Sequence, residues 1–309
     1  MEFKIKLDTK IRHYYLESGS YYSMISLKQF LEYFLPNNNF DYIIVEDDSE
    51  KPDITIWDIQ LADNSLLKKD EINMLISVEH LNHWGHYNHY NNYGDYGDSK
   101  IKIYLYNHIT KVIIDSNNNF IAIPMIYNFI NYYLDNHMTI KPSIYTDFKD
   151  KKFCLMVNKS NLNSEIQNYV DILSEIGEID NINLYNEYIG NKSCYHSIEL
   201  LNILNQYKFI LCFENSYGNG YITEKIFNTF FAKSIPIYKG SPIIFDYINR
   251  EAFISLEHTT ETDIRNISHC HETFNNIINQ NKISSIYTDE DYKSKLSQFI
   301  LEHADGLSR

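Results

Sequence analysis

Arginine is almost missing from this chain of 309 residues: it stands at Arg12, Arg250, Arg265 and Arg309, with none between the first two. The cations are therefore mostly lysines, which carry a point charge and lack the planar fork that grips phosphate at two points. Abundant Asn, Ile, Lys and Tyr beside so little Arg look like an A/T-rich coding bias. Positive charge is short overall. A net charge of −14 excludes a general nucleic-acid binder, because phosphate-backbone recognition asks for a basic surface. Any anionic ligand must be held by local positive groups. Long apolar runs are missing as well: MEFKIKLDTKIRHYYLESGS alternates charged and apolar residues, with no stretch of signal-peptide or membrane length, so the chain reads as soluble. Four cysteines (Cys154, Cys194, Cys212, Cys270) include no C-x-x-C pair, and two lie inside apolar runs, so they read as reduced, buried thiols of a cytosolic protein. There is no internal repeat and no collagen-like or proline-rich segment.

What is present is enough apolar residue, 44%, for two cores of ordinary domain size. Phe3–Leu7, Tyr42–Glu46, Asp53–Trp57 and Met74–Val78 are candidate strands, and Tyr21–Leu35 has helical spacing that ends at Pro36, a β-α-β beginning. Leu81–Ser99 is polar, aromatic and histidine-rich, the composition of a long functional loop or irregular helix. Periodicity breaks at Pro142–Asp150. The expected domains are 1–148 and 149–309. In the second, Phe153–Val157, Phe209–Phe213, Ile235–Tyr238 and Ala252–Leu256 read as strands, and Ile166–Ile176, Ser197–Asn205 and Asp289–His303 as helices.

Residues 208–240, KFILCFENSYGNGYITEKIFNTFFAKSIPIYKG, carry the strongest signal. Lys208 to Phe213 suits an inner parallel strand, and Gly218 and Gly220 lie in a turn. Thr223 is a favoured N-cap type, and Glu224–Lys233 has Ile226, Phe227, Phe230 and Phe231 at helical spacing before the next strand. A helix start at the carboxyl edge of an α/β sheet offers N–H groups to phosphate. Lys225 adds a full positive charge where the helix dipole prefers an anion, so its place makes sense if something negative binds beside it.

The segment FENSYGNGYITEKIFNTFFAKSIPIYKGSP resembles the donor-site motif of the α-1,3-fucosyltransferase family. The shared features are the Phe-Glu-Asn-Ser start, the Tyr-x-Thr-Glu-Lys core, the helix, and the Ile-Pro-Ile-x-x-Gly strand and turn. The resemblance implies an inverting glycosyltransferase of α/β class, with two Rossmann-like domains facing across a cleft (GT-B). The amino-terminal domain would hold a glycan acceptor; the carboxyl-terminal domain, with its last helix, would hold GDP-fucose. No metal or other cofactor is implied. The family's eukaryotic members often carry a membrane anchor, so its absence points to a cytoplasmic bacterial-type or viral-type enzyme.

Inverting transfer needs a base for the acceptor hydroxyl and positive charge for the departing diphosphate. Glu79, after the apolar run MLISV, matches the family's strand-then-Glu pattern and is the expected base; an ordinary exposed or N-capping glutamate is the alternative, and Glu46 the fallback. Lys225 is expected to meet the diphosphate. By the same resemblance, Glu224 bonds donor hydroxyls, Asn215 and Tyr221 line the donor pocket, and Glu214 is a neighbour. The family's arginine after the first donor-domain strand is absent from VNKSNLNSEIQNYVDIL, where Lys159 is the basic residue. An Arg-to-Lys exchange, a changed donor and a weakened or inactive enzyme all remain open at this point. His80, His83, His86 and His89 invite a metal reading, yet residues at i+3 drift about 60° around a helix and no carboxylate or cysteine set completes a site. An acceptor loop suits them better, with Trp84 and Tyr87 stacking on sugar faces and His80 and His83 bonding hydroxyls. Rival readings are a transferase using a UDP- or dTDP-sugar, and a binding protein without catalysis.

Overall fold

The computed structural model describes residues 2–7, 41–45, 51–58, 67, 71–77, 101–106, 111–116, 119–157, 164–182, 198–215, 218, 220–287 and 290–307. They divide into two compact units: Met1–Asn131 with Asn215–Ile222 and Thr288–Arg309, and Tyr132–Glu214 with Thr223–Tyr287.

The first unit is built on seven strands: β1 (Glu2–Leu7), β2 (Asp41–Ile44), β3 (Ile54–Asp58), β4 (Ile72–Ser77), β5 (Ile101–Tyr106), β6 (Ile113–Asp115) and β7 (Phe120–Pro124). They lie in the order β2-β1-β3-β4-β5-β7-β6, all parallel except the antiparallel edge strand β6. The four anticipated strands appear here within two residues of their expected ends. The inner strands carry Ile5, Ile54, Ile56, Ile72, Met74, Ile103 and Ile121, all essentially without solvent contact, as a sheet covered on both faces requires. Polar groups inside it are paired: Thr55 Oγ1 donates to Glu71 Oε2 at 2.5 Å, and Trp57 Nε1 donates to Asn73 Oδ1 at 3.3 Å. Two helices belong to this unit in whole or part. The terminal helix α8 (Glu290–Leu307) lies on β4 and β7 through Tyr292, Leu296, Phe299 and Ile300, an i, i+4, i+7, i+8 stripe. The first half of α1 (Ile126–Asn136) meets it where Asn131 Nδ2 donates to the Tyr292 hydroxyl at 2.8 Å.

The second unit has five parallel strands: β8 (Lys152–Val157), β9 (Ile179–Ile182), β10 (Tyr207–Phe213), β11 (Ile235–Lys239) and β12 (Ile254–Ser255), ordered β12-β11-β10-β8-β9. Both units thus share the 2-1-3-4-5 doubly wound order, extended in the first by β7 and β6. Helices α2 (Ser164–Ser174), α3 (Ile198–Leu204) and α4 (Lys225–Phe231) correspond to the periodic segments. Beyond them, α5 (Ile244–Tyr247), α6 (Glu261–His269) and α7 (His271–Ile278) follow β11 and β12. Pro236 sits in β11 without breaking the sheet because β12 is short: it pairs with β11 at Ile237 and Tyr238, so the missing N–H at 236 costs no bond on that side. The helix α4 ends two residues before the expected Lys233. That residue takes a left-handed φ of 56°, and the N–H groups of Lys233 and Ser234 donate to Phe230 and Thr229 carbonyls at 3.2 Å each, a Schellman closure.

Of the thiols, Cys154 and Cys212 are buried as expected, but Cys270 is exposed at the junction of α6 and α7, where the chain turns at the surface; Cys194 lies outside the described residues. The expected helix Tyr21–Leu35 and the loop Leu81–Ser99 also lie outside them.

With arginine scarce, lysines do the internal capping. Buried Lys282 donates to the carbonyls of Ile277 and Ile278 at 3.0 and 2.8 Å, closing the end of α7, where the dipole favours a cation. Burial, with the charge of Lys233 added, brings its ammonium down from 10.5 to about 7. The unfolded chain therefore holds that proton at pH values where the folded chain has released it, so this group's penalty on stability is full below pH 7 and fades as pH rises toward 10.5. The difference in urea-unfolding free energy between wild type and Lys282→Met should move in favour of wild type by on the order of 1 kcal/mol between about pH 7 and about pH 8.5. A pH-independent difference would contradict this account.

Candidate functional site

In the second sheet β8 has its sequence successor β9 on one side and β10 on the other, so the chain leaves β8 and β10 in opposite directions at their carboxyl ends. That divergence is where doubly wound sheets open a ligand crevice. The residue that follows β10 is Glu214, which is 3% exposed. Its N–H donates to the carbonyl of Lys239 at 2.9 Å, extending the β10 and β11 pairing by one residue.

The Glu214 carboxylate organises the start of α4. Its Oε1 accepts the backbone N–H of Thr223 at 2.8 Å, and its Oε2 accepts the Thr223 hydroxyl at 2.8 Å and the Lys225 ammonium at 3.2 Å. The carboxylate side chain has no exposure, while that of Lys225 keeps 27%. This corrects the capping expectation. The residue at the N-cap is Glu224, in helical conformation with φ −62° and ψ −16° and no side-chain cap bond. Thr223 is turned to the carboxylate instead: its hydroxyl donates to an ionised acceptor, a stronger bond than the one its oxygen would accept from a neutral peptide N–H as a cap. The negative partner anticipated beside Lys225 is thus supplied in part by the chain itself.

Behind this cluster the helix is pinned to β10. The Lys225 carbonyl accepts from Thr229 Oγ1 at 2.9 Å, and Thr229 meets Cys212 Sγ at 3.2 Å. Burial pushes the Cys212 thiol up to about 12, so it stays protonated and is not a nucleophile. In front of α4 the turn closes on itself: Tyr221 N–H donates to Gly218 at 3.3 Å, and Ile222 N–H to Gly220 at 3.0 Å. Gly220 has φ 89°, a conformation that needs glycine. Tyr221 is among the largest fully buried side chains, Asn215 is exposed, and Glu224 and Lys225 are half-buried.

Gly240 entered the sequence reading only as the glycine of the Ile-Pro-Ile-x-x-Gly strand and turn, and Tyr238 only as a strand end, yet both bear on the cluster. A β-carbon at Gly240 would stand 2.5 Å from the Tyr238 hydroxyl and 2.6 Å from Glu214 Cγ. The Tyr238 hydroxyl accepts the N–H of Ser241 at 3.1 Å, and burial followed by the Glu214 charge raises its pKa well above the ordinary value. The signal for them was a glycine directly after a buried strand, which marks close approach of another group. Beside them, buried Lys239 ends β11 and pairs with Glu257 at 3.0 Å, lining a small recess with Ser241, Phe245 and Ser255 at the carboxyl ends of β11 and β12. Glu79, His80, His83, Trp84, Tyr87, the fallback Glu46 and Lys159 lie outside the described residues. Glu79 follows the end of the inner strand β4 by two residues, and Glu46 that of the edge strand β2.

Residues 146–269 match the family model described as Glycosyltransferase family 10 (fucosyltransferase) C-term. The matched segment runs from just before β8 to the end of α6 and contains Glu214, Thr223, Lys225 and Gly240. An alpha-(1,3)-fucosyltransferase of Helicobacter pylori is 39% identical over 104 residues, 31% of this chain and 20% of that protein. A putative fucosyltransferase of Acanthamoeba polyphaga mimivirus is 31% identical over 187 residues, 55% of this chain and 30% of that protein. The chain spans less than a third of these two relatives' length. A crystal structure of an alpha1,3-fucosyltransferase with GDP-fucose aligns over 98% of this chain and 90% of that one, with a TM-score of 0.61 at 17% identity. The fold is therefore the α/β, GT-B type expected.

The crowding at Gly240 is directly testable. Gly240→Ala should lower the urea-unfolding free energy by about 1–3 kcal/mol, as overpacking of a filled site does. An unchanged midpoint would mean that Glu214 and Tyr238 have room to give.

Proposed function

We propose that this chain is an inverting glycosyltransferase that moves fucose from GDP-fucose to a hydroxyl of a GlcNAc-containing glycan, with residues 1–148 serving the acceptor and 149–309 the donor. The observation that carries the proposal is the coincidence of two independent facts. The fucosyltransferase family match covers residues 146–269, and within them a lysine with an exposed flank stands beside a buried carboxylate just past the carboxyl end of β10.

In this reading Lys225 meets the diphosphate, and Glu224, Asn215 and Lys159 complete the donor site, to which Tyr221, its side chain fully buried, can contribute only through its backbone. Glu79 takes the proton of the acceptor hydroxyl. That oxygen attacks the anomeric carbon of fucose from the side opposite the diphosphate, the bond to the β-phosphate oxygen breaks, and GDP leaves with the electron pair, its charge met by Lys225. Support for Glu79 over Glu46 is its distance of two residues from an inner rather than an edge strand. His80, His83, Trp84 and Tyr87 are assigned to the acceptor. The chemistry assigned here uses no metal. Among the described residues no helix is long and apolar enough to cross a membrane. A cytoplasmic setting is part of the same proposal, supported by the free, buried thiols of Cys154 and Cys212.

A second reading, transfer from a UDP- or dTDP-sugar, is favoured by one observation: no arginine stands between Arg12 and Arg250 to clamp the diphosphate as the resembled family does. Thermal-shift measurements with GDP, UDP, dTDP and CMP separate the two, because a ligand of the folded form raises its melting temperature. GDP should give the largest rise; an equal or larger rise with UDP would replace the donor. Glu79→Gln should keep GDP binding and lose transfer by at least about a hundredfold, whereas Lys225→Ala should weaken both. Undiminished transfer by Glu79→Gln would remove it as the base.

A further inference from the structure

We propose that Glu214 is a positioning residue: its buried carboxylate, anchored on Thr223, holds the Lys225 ammonium where a donor diphosphate meets it. The inference rests on the donor reading above and gives Glu214 a task that direct ligand contact would not.

Glu214 is unsuited to touch a ligand. Its side chain is wholly buried, and both oxygens are engaged by this chain: the Thr223 N–H at 2.8 Å, the Thr223 hydroxyl at 2.8 Å and the Lys225 ammonium at 3.2 Å. It is well suited to hold something else. A lysine has a flexible four-carbon stem and samples many rotamers unless a partner selects one. Here the partner is wholly buried while the lysine side chain keeps 27% of its exposure, so the ammonium has a fixed partner on a side chain that is not itself enclosed. The partner is itself fixed from behind. The Glu214 N–H is bound to the Lys239 carbonyl at 2.9 Å, and the bare Cα of Gly240 lets its Cγ pass where a β-carbon would come within 2.6 Å. Thr223 carries the constraint onward, since it immediately precedes the residues that open α4. The Phe-Glu, Thr-Glu-Lys and Lys-Gly pieces of residues 208–240 are thus joined by one carboxylate.

The test turns on a sign. Glu214→Gln deletes a negative charge near a polyanionic ligand, so on charge alone GDP would bind more tightly; if Glu214 positions Lys225, GDP binds more weakly. Isothermal titration with GDP should show Glu214→Gln weakened by at least about tenfold at a melting temperature close to wild type. Lys225→Ala and the Glu214→Gln/Lys225→Ala double variant should bind alike, since the carboxylate acts through the lysine. Thr223→Ser, which keeps the hydroxyl, should lie nearer to wild type than Thr223→Val, a comparison that stands even if Glu214→Gln fails to fold. Equal or tighter binding by Glu214→Gln, losses that multiply in the double variant, or Ser and Val variants that behave alike would each overturn the inference. If folded wild type binds no GDP, the donor reading falls together with this one; if wild type binds and Glu214→Gln is not weakened, this one falls alone.

Discussion

One buried negative charge organises the carboxyl edge of the second sheet. Removing a carboxylate from water is expensive, and the expense is recovered only where donors converge on both oxygens. At Glu214 the donors are a backbone N–H, a hydroxyl and an ammonium, and all three come from Thr223 and Lys225. The start of α4 therefore has little freedom once β10 is in place. The same side chain sets constraints on its other side: its Cγ and the Tyr238 hydroxyl fill the space that a β-carbon at Gly240 would need, and burial together with the carboxylate's charge keeps that hydroxyl protonated.

The scarcity of arginine has a structural counterpart. Where an interior cation is needed, a lysine reaches backbone carbonyls. Lys282 closes α7, Lys208 donates to Ser268 at 2.7 Å, and Lys151 bonds the Asn205 carbonyl, its pKa brought down to about 8 by burial. Lysine suits this use because three donors on a slender stem can follow a helix end, and the charge can be given up when burial outweighs it. These carbonyl-bound lysines are thus scaffold, whereas Lys225 takes a carboxylate partner, as buried Lys239 does with Glu257, and keeps 27% of its side-chain exposure.

Much of the second unit was legible because several signals agreed at each place. In residues 208–240 the apolar strand, the glycine turn, the helical spacing and the next strand coincide with β10, Gly220, α4 and β11. Strands β5 and β7 and helix α1 went unread. IKIYLY alternates in sequence as a half-buried strand would, yet Lys102 is buried at 1% exposure between Ile101 and Ile103, so alternation there does not separate inside from outside. In FIAIP every residue is buried, which leaves no periodicity to detect. The proposed catalytic and acceptor residues Glu79, His80, His83, Trp84 and Tyr87 were legible only through resemblance and strand ends, since no local pattern near them specifies a geometry.

By itself the sequence determined that the chain holds two α/β cores, that a cation would stand at the opening of the helix after residues 208–213, and that glycine would occupy the turn before it. Local rules suffice for these, because periodicity, glycine conformations and charge are properties of neighbours along the chain. Only the tertiary structure decided what Thr223 and Glu214 do. A capping threonine and a carboxylate-bound threonine are identical in sequence, and the choice depends on β10 and β11 bringing Glu214 and Gly240 together across 26 residues. Which partner a side chain takes depends on which polar groups folding brings within its reach, and a buried carboxylate is a stronger partner for a hydroxyl than a neutral peptide group.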